Sequence, residues 1–194
     1  MEQPLGLNET LLLWINQDWA NPVFDFFFFW ISEKYTFSIP LLAIIWITFG
    51  IKYGKKGWLL GALSILVTAT GDLFGNFLKD IIQHPRPCLD MYALVRVPFD
   101  VSTPCSTSTS GMPSNHALNF FATFCFIAYF IRIRWVIIAS ITLSILVALS
   151  RVYLAKHYPA QIAVGSFIGC VYGLSIAWIC HRYFKHRLPF ISKP

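Results

Sequence analysis

Five stretches of this chain, about 36–51, 57–78, 114–131, 135–150 and 160–181, are apolar almost without interruption. A bilayer core asks for roughly 20 such residues from a helix. Backbone amides in lipid must find partners within their own segment, which selects helices over open strands. The chain is therefore read as an all-α integral membrane protein, a bundle of about five transmembrane helices in one domain. The first and fourth stretches are short and extend into their flanks. Charge agrees: only 12% of the 194 residues are charged, against about 25% in soluble domains.

A different kind of segment comes first. Leu5–Trp14 and Val23–Ile31 are apolar but are interrupted by Asn16, Gln17, Asp18, Asn21 and Pro22. Phe26–Phe29 and Trp14, Trp19 and Trp30 suit the headgroup boundary. Residues 1–33 are expected to form two interfacial or re-entrant helices, with one irregular sixth span as the alternative. With Glu2 and Glu9 and no basic start, this segment does not resemble a cleavable signal. Residues 34–183 form the transmembrane domain, and 184–194 a basic tail.

Orientation follows from the loops. Lys52, Lys55, Lys56, Arg132, Arg134, Arg182, Lys185, Arg187 and Lys193 fall at one end of the predicted spans; Lys34, Lys79, Arg86, Arg96, Arg151 and Lys156 fall at the other. The excess of nine over six places the first end in the cytoplasm. The net charge of +6 is spread over these loops, and no nucleic-acid motif accompanies it, so nucleic acid is excluded as a partner. The long loop at about 83–113 then lies outside. An oxidising compartment there allows a Cys88–Cys105 disulfide worth roughly 3 kcal/mol, with two free thiols as the alternative. Gly165, Gly169 and Gly173 recur every four residues in the last span, a row that lets helices approach closely. Packing within the chain is the simpler use of that row, and a dimer contact the alternative; oligomeric state stays open.

Three polar strings stand at the outer mouths of the spans: Lys79-x6-Arg86-Pro87, Pro113-Ser114-Asn115-His116 and Ser150-Arg151-x5-His157. Arginine offers a planar fork and lysine a point charge to phosphate oxygens. Ser114 at a helix start adds a hydroxyl and first-turn amides. Histidines can serve as nucleophile and as acid. Each string has a plainer reading: headgroup snorkelling for Lys79 and Arg86, helix capping for Ser114. Their collection on one rim is what those readings leave unexplained. Asp72 and Asn76 share a helix face with Lys79; they either hold that lysine or form a polar seam between helices.

The three strings resemble the signature of the type 2 phosphatidic acid phosphatase superfamily, K-x6-R-P, P-S-G-H and S-R-x5-H-x3-D, over roughly residues 36–182. The resemblance implies a small bacterial membrane lipid phosphatase. His157 would form a phosphohistidine, and His116 would protonate the leaving group. Lys79, Arg86, Ser114, the Asn115 amide and Arg151 would hold the phosphate. It implies no metal and no cofactor. Its substrate would be a lipid phosphate or pyrophosphate at the outer face of the inner membrane: undecaprenyl pyrophosphate, lipid A 1-phosphate or phosphatidylglycerophosphate. A phosphotransferase with the same site, or a catalytically weak lipid-phosphate binder or transporter, are the alternatives.

The chain departs from that pattern twice. Asn115 stands where the family has glycine; if φ is positive there, asparagine is the best tolerated replacement. Gln161 stands where the family has the aspartate that orients the nucleophile. All nine acidic residues lie at or before Asp100, so no carboxylate near in sequence replaces it. Either the carboxylate is missing, and restoring aspartate raises turnover, or another arrangement has taken over.

Overall fold

The computed structural model describes residues 5–99 and 110–184, and the basic tail and Cys105 lie outside them. The described chain is helical: α1 (Leu7–Leu13), α2 (Pro22–Ser32), α3 (Ile39–Ile82), α4 (Pro87–Asp90), α5 (Asn115–Phe130), α6 (Arg134–Tyr153) and α7 (Pro159–Phe184). Single π-helical turns, Trp14–Asp18 and Lys34–Ser38, follow α1 and precede α3.

Two of the expected spans belong to one element. Helix α3 breaks at Gly54, with φ 60° and ψ −140°, a backbone region open essentially only to glycine. The chain reverses there, so arms 39–53 and 55–82 run side by side. Trp46 Nε1 donates to the Trp58 carbonyl at 3.2 Å. A Cβ on Gly57 would lie 1.8 Å from the Phe49 carbonyl oxygen, so only glycine permits this closeness. With the two arms counted separately, the described residues hold five long rods. Three helical stretches among the described residues, Lys34–Ile82, Arg134–Tyr153 and Pro159–Phe184, are long and apolar enough to span. Their outward faces carry exposed Leu66, Leu73, Phe77, Ile141, Ile145, Phe167 and Trp178, as a lipid-facing surface requires.

Helix α5 is the centre of the bundle; ten of its sixteen residues are buried. Its closest neighbour is α7, and the glycine row explains why. Cβ atoms on Gly165, Gly169 and Gly173 would lie 2.7, 2.3 and 2.1 Å from the carbonyl oxygens of Ser114, Leu118 and Ala122. The row is used inside the chain, backbone against backbone. On the opposite face, polar side chains tie α5 to α3. Thr68 and Thr123 hydroxyls meet at 2.6 Å, and Asp72 Oδ1 accepts from Asn115 Nδ2 and Asn119 Nδ2, both at 3.0 Å.

One apolar core fills the end where α5 meets α6, around Phe126, Phe130, Ile131 and Ala177. A second joins α1 and α2 to the opposite end, through Leu12, Phe28, Ile31, Tyr153 and Tyr158. Asn21 caps α2, accepting from the Phe24 amide at 2.9 Å, with Pro22 in the first turn. Asn16 is fully buried. Its Nδ2 donates to the carbonyls of Arg96 and Tyr153 and its Oδ1 accepts from the Arg96 amide, each at 2.7 Å. Asp25 pairs with Arg96 and accepts from the Tyr153 hydroxyl at 2.5 Å. The N-terminal helices are thus fastened over the end of the bundle that carries the three strings. Cys88 is disulfide-bonded.

Gly169→Ala is expected to force α5 and α7 apart and to destabilise by about 1–3 kcal/mol or more. Thermal unfolding of the detergent-solubilised protein should show a clear drop in midpoint, whereas Leu174→Ala on the exposed face should not.

Candidate active site

Each string is positioned by a local device. Lys79 ends the second arm of α3, buried to 7% exposure. Gln83 caps that helix in the left-handed region, with φ 47° and its amide on the Lys79 carbonyl at 3.0 Å. His84-Pro85-Arg86-Pro87 then leaves in an extended path, as two prolines dictate. Ser114 is the N-cap residue of α5. Its amide donates to the Gln161 carbonyl at 3.2 Å, which seats the second string on the third. After α6 the Arg151 carbonyl accepts from the amides of Lys156 and His157, at 2.9 and 3.0 Å. Ala155, with φ 51°, completes this tight return and turns His157 back into the bundle.

The strings meet. An Arg86 guanidinium nitrogen, NH1, lies 3.3 Å from His157 Nε2 and donates to the Lys156 carbonyl at 3.2 Å. His157 is 2% exposed. Burial first, and then the charges of Arg151, Arg86 and Lys79, push its pKa well below the ordinary 6.5; the hydrogen bond to Gln161 pulls weakly the other way. The imidazole is neutral at pH 7. Arg151 donates to the Ser32 hydroxyl, and neither Lys79 nor Arg151 joins an ion pair among the described residues. Ser114 Oγ makes no capping bond. Ser114 Oγ and Arg151 Nε are buried without a hydrogen-bond partner among the described residues. Orphaned polar atoms of this kind are costly, and a hydroxyl and a guanidinium N–H are both groups that an oxyanion satisfies. The plain capping reading of Ser114 does not describe its side chain.

His116 is half-buried on the far side. Its Nε2 is 3.0 Å from the Ser32 carbonyl, which only accepts, so that nitrogen carries a proton. Beside it an apolar cavity of about 140 Å³ opens between α3 and α5, with Leu41, Leu42, Phe120 and Phe124 on its walls and Lys34, Asp72 and Asn119 among its polar lining.

Both departures from the family pattern are accommodated. Asn115 does not take a positive φ; it is the first residue of α5, and its side chain crosses to α3. Its Nδ2 donates to Asn76 Oδ1 at 2.7 Å as well as to Asp72. Asp72 and Asn76 therefore form the inter-helix seam beneath Lys79, and their hydrogen bonds go to α5. Gly75 makes the room: its Cβ would lie 2.4 Å from Asn115 Oδ1. Gln161 is fully buried and fully used. Its Oε1 accepts from the Tyr158 amide at 3.1 Å, and its Nε2 donates to the Pro85 carbonyl at 2.7 Å. These two backbone partners fix the amide's orientation. His157 Nδ1, 3.1 Å from Oε1, must then be the donor, which leaves Nε2 with its lone pair toward Arg86.

The family model described as the PAP2 superfamily matches residues 58–187. The chain belongs to the PAP2 superfamily. Phosphatidylglycerophosphatase B of Bacillus subtilis is 29% identical over 158 residues, covering 72% of this chain and 70% of that protein. A lipid A 4'-phosphatase of Porphyromonas gingivalis is 26% identical over 176 residues, 89% of this chain and 72% of its own. The crystal structure of a transmembrane PAP2-type phosphatidylglycerolphosphate phosphatase from Bacillus subtilis superposes with a TM-score of 0.66 at 22% identity, covering 91% of this chain and 87% of that one. This PAP2 member is thus a multi-pass helical membrane protein, as its apolar stretches indicate.

Sequence reasoning missed Ser32, Gly75, Gly111 and the use made of His84. Ser32 carries no signal, since nothing along the chain brings position 32 near 116 and 151. Ser114→Ala is expected to keep the fold while weakening orthovanadate binding about 10- to 100-fold, the worth of a hydrogen bond to a charged group. Isothermal titration checks it.

Proposed function

We propose that this protein is a membrane lipid phosphatase working through a phosphohistidine on His157. The observation that carries the reading is a buried, neutral imidazole whose unprotonated Nε2 faces the Arg86 guanidinium, in a rim that also holds an orphaned serine hydroxyl. Nε2 attacks phosphorus, and the bond from phosphorus to the leaving oxygen breaks as His116 donates a proton to that oxygen. Water then attacks the phosphohistidine, His116 takes a proton from it, the P–N bond breaks, and phosphate leaves with His157 neutral again. Lys79, Arg86, Arg151, Ser114 Oγ and the amides opening α5 stabilise the equatorial oxygens, whose charge is greatest in transit.

The substrate is a phosphate or pyrophosphate monoester of a lipid. The apolar cavity beside His116 supports this, because an acyl or isoprenoid chain can lie there while the phosphate reaches the cations. The names of the relatives support phosphatidylglycerophosphate and lipid A phosphates as first tests, with undecaprenyl pyrophosphate beside them. The cation excess at the opposite end supports an outward-facing site in a bacterial inner membrane.

Phosphate release from those lipids in detergent micelles tests the reading. At least one should be hydrolysed, and His157→Ala should abolish release; equal release by the two proteins overturns the nucleophile assignment. The pH profile is a second check. A nucleophile with a depressed pKa is protonated only in acid, so the acid-side loss of kcat/KM should set in only below about 6.5, while a loss on the alkaline side belongs to deprotonation of the acid His116. A loss already complete at pH 7 contradicts a neutral His157.

A further inference from the structure

His84 precedes the arginine of the first string by two residues and has no part in the chemistry above. Its Nδ1 lies 2.9 Å from Gln161 Nε2. One hydrogen of that amide goes to the Pro85 carbonyl at 2.7 Å; the second points at His84. The amide's orientation is already fixed by the Tyr158 amide and the Pro85 carbonyl, so Nε2 is a donor and His84 Nδ1 must accept. His84 Nδ1 is also 3.1 Å from the Pro85 carbonyl. A proton placed on Nδ1 for that contact would set two donors face to face, so the ring is neutral with its hydrogen on Nε2. The imidazole stands edge to face against Tyr158, centroids 6.2 Å apart, and its backbone carbonyl accepts from the Gly111 amide at 2.6 Å. Gly111 closes the other side, since a Cβ there would lie 2.5 Å from Gln161 Oε1.

We propose that His84 is a positioning residue for the nucleophile: it accepts from the Gln161 amide, which in turn accepts from His157 Nδ1, so that a neutral His84–Gln161–His157 chain takes the place of a carboxylate–histidine pair. Every member is polarised in one direction, which strengthens each bond in the row. Without His84, a hydrogen on a fully buried amide loses its partner, and the amide's hold on the His157 tautomer weakens. A carboxylate at 161 would instead turn an acceptor toward two acceptors, the Pro85 carbonyl and His84 Nδ1. The inference rests on His157 being the nucleophile.

The test uses the full chain in detergent, with phosphatidylglycerophosphate and undecaprenyl pyrophosphate as probes, and follows kcat and KM separately. His84→Ala should lower kcat about 3- to 10-fold with KM little changed. His84→Asn, which offers an accepting oxygen near the place of Nδ1, should regain most of the loss. Gln161→Met should cost at least as much as His84→Ala, and adding His84→Ala to it should cost nothing more, because the connection is already broken. Gln161→Asp should lower kcat. Wild-type kcat in His84→Ala, equal losses in His84→Ala and His84→Asn, additive losses in the double variant, or a faster Gln161→Asp enzyme would each overturn the proposal. If His84→Ala fails to give monodisperse protein, the Gln161→Asp arm decides alone. His157→Ala separates the two levels: full release by that variant, or no release by the wild type, overturns the phosphohistidine reading and this inference with it. A dead His157→Ala beside an unaffected His84→Ala overturns this inference only.

Discussion

The contact on which the rest depends is the backbone-to-backbone packing of α5 on α7. Gly165, Gly169 and Gly173 let three carbonyls of α5 approach to distances no side chain would permit. In lipid there is no hydrophobic drive to bring helices together, so close packing and interhelical hydrogen bonds must do it. The uppermost contact, Gly165 on the Ser114 carbonyl, coincides with the hydrogen bond from the Ser114 amide to the Gln161 carbonyl. The same row that builds the bundle therefore sets Ser114 of one string beside Gln161, which follows another.

Around that contact the chain departs from its family twice, and each departure has a local counterpart. Asn115 needs the empty space over Gly75 and acceptors from Asp72 and Asn76. Gln161 needs the Pro85 carbonyl, His84 Nδ1 and the empty space over Gly111. An amide differs from a carboxylate in having hydrogens to place, and buried hydrogens without partners are costly. Partners are present at both sites. The polar rim, by contrast, is left partly unsatisfied: Ser114 Oγ and Arg151 Nε lack partners among the described residues, and Arg151 rests on the Ser32 hydroxyl. Donors left without partners beside a fastened support are what a preorganised anion site requires.

The N-terminal helices complete the rim. Their aromatic residues pack on the end of α6 through Phe28 and Tyr153, and Asn16, Asp25 and Arg96 fasten them through buried hydrogen bonds. Ser32, the last residue of α2, reaches both Arg151 and His116. The segment that looked like an interfacial appendage thus contributes contacts to the site, and its carbonyl sets where His116 carries a proton.

Much was legible in the residues alone because it depended on local rules. Apolar length dictates spans, prolines stiffen the Arg86 segment, and three strings in register carry the resemblance to the family. Other features could be seen but not decided. The glycine row allowed packing within the chain or between chains, and Asp72 allowed two uses, because the sequence does not say which helix faces which. Gln161 reads along the chain either as a lost charge, since no acid follows it, or as part of another arrangement. Only the fold brings His84, 77 positions away, to its amide nitrogen. Hydrogen-bond satisfaction in a buried site is a property of what surrounds an atom in space, and three helices and a proline-stiffened loop had to meet before it was defined.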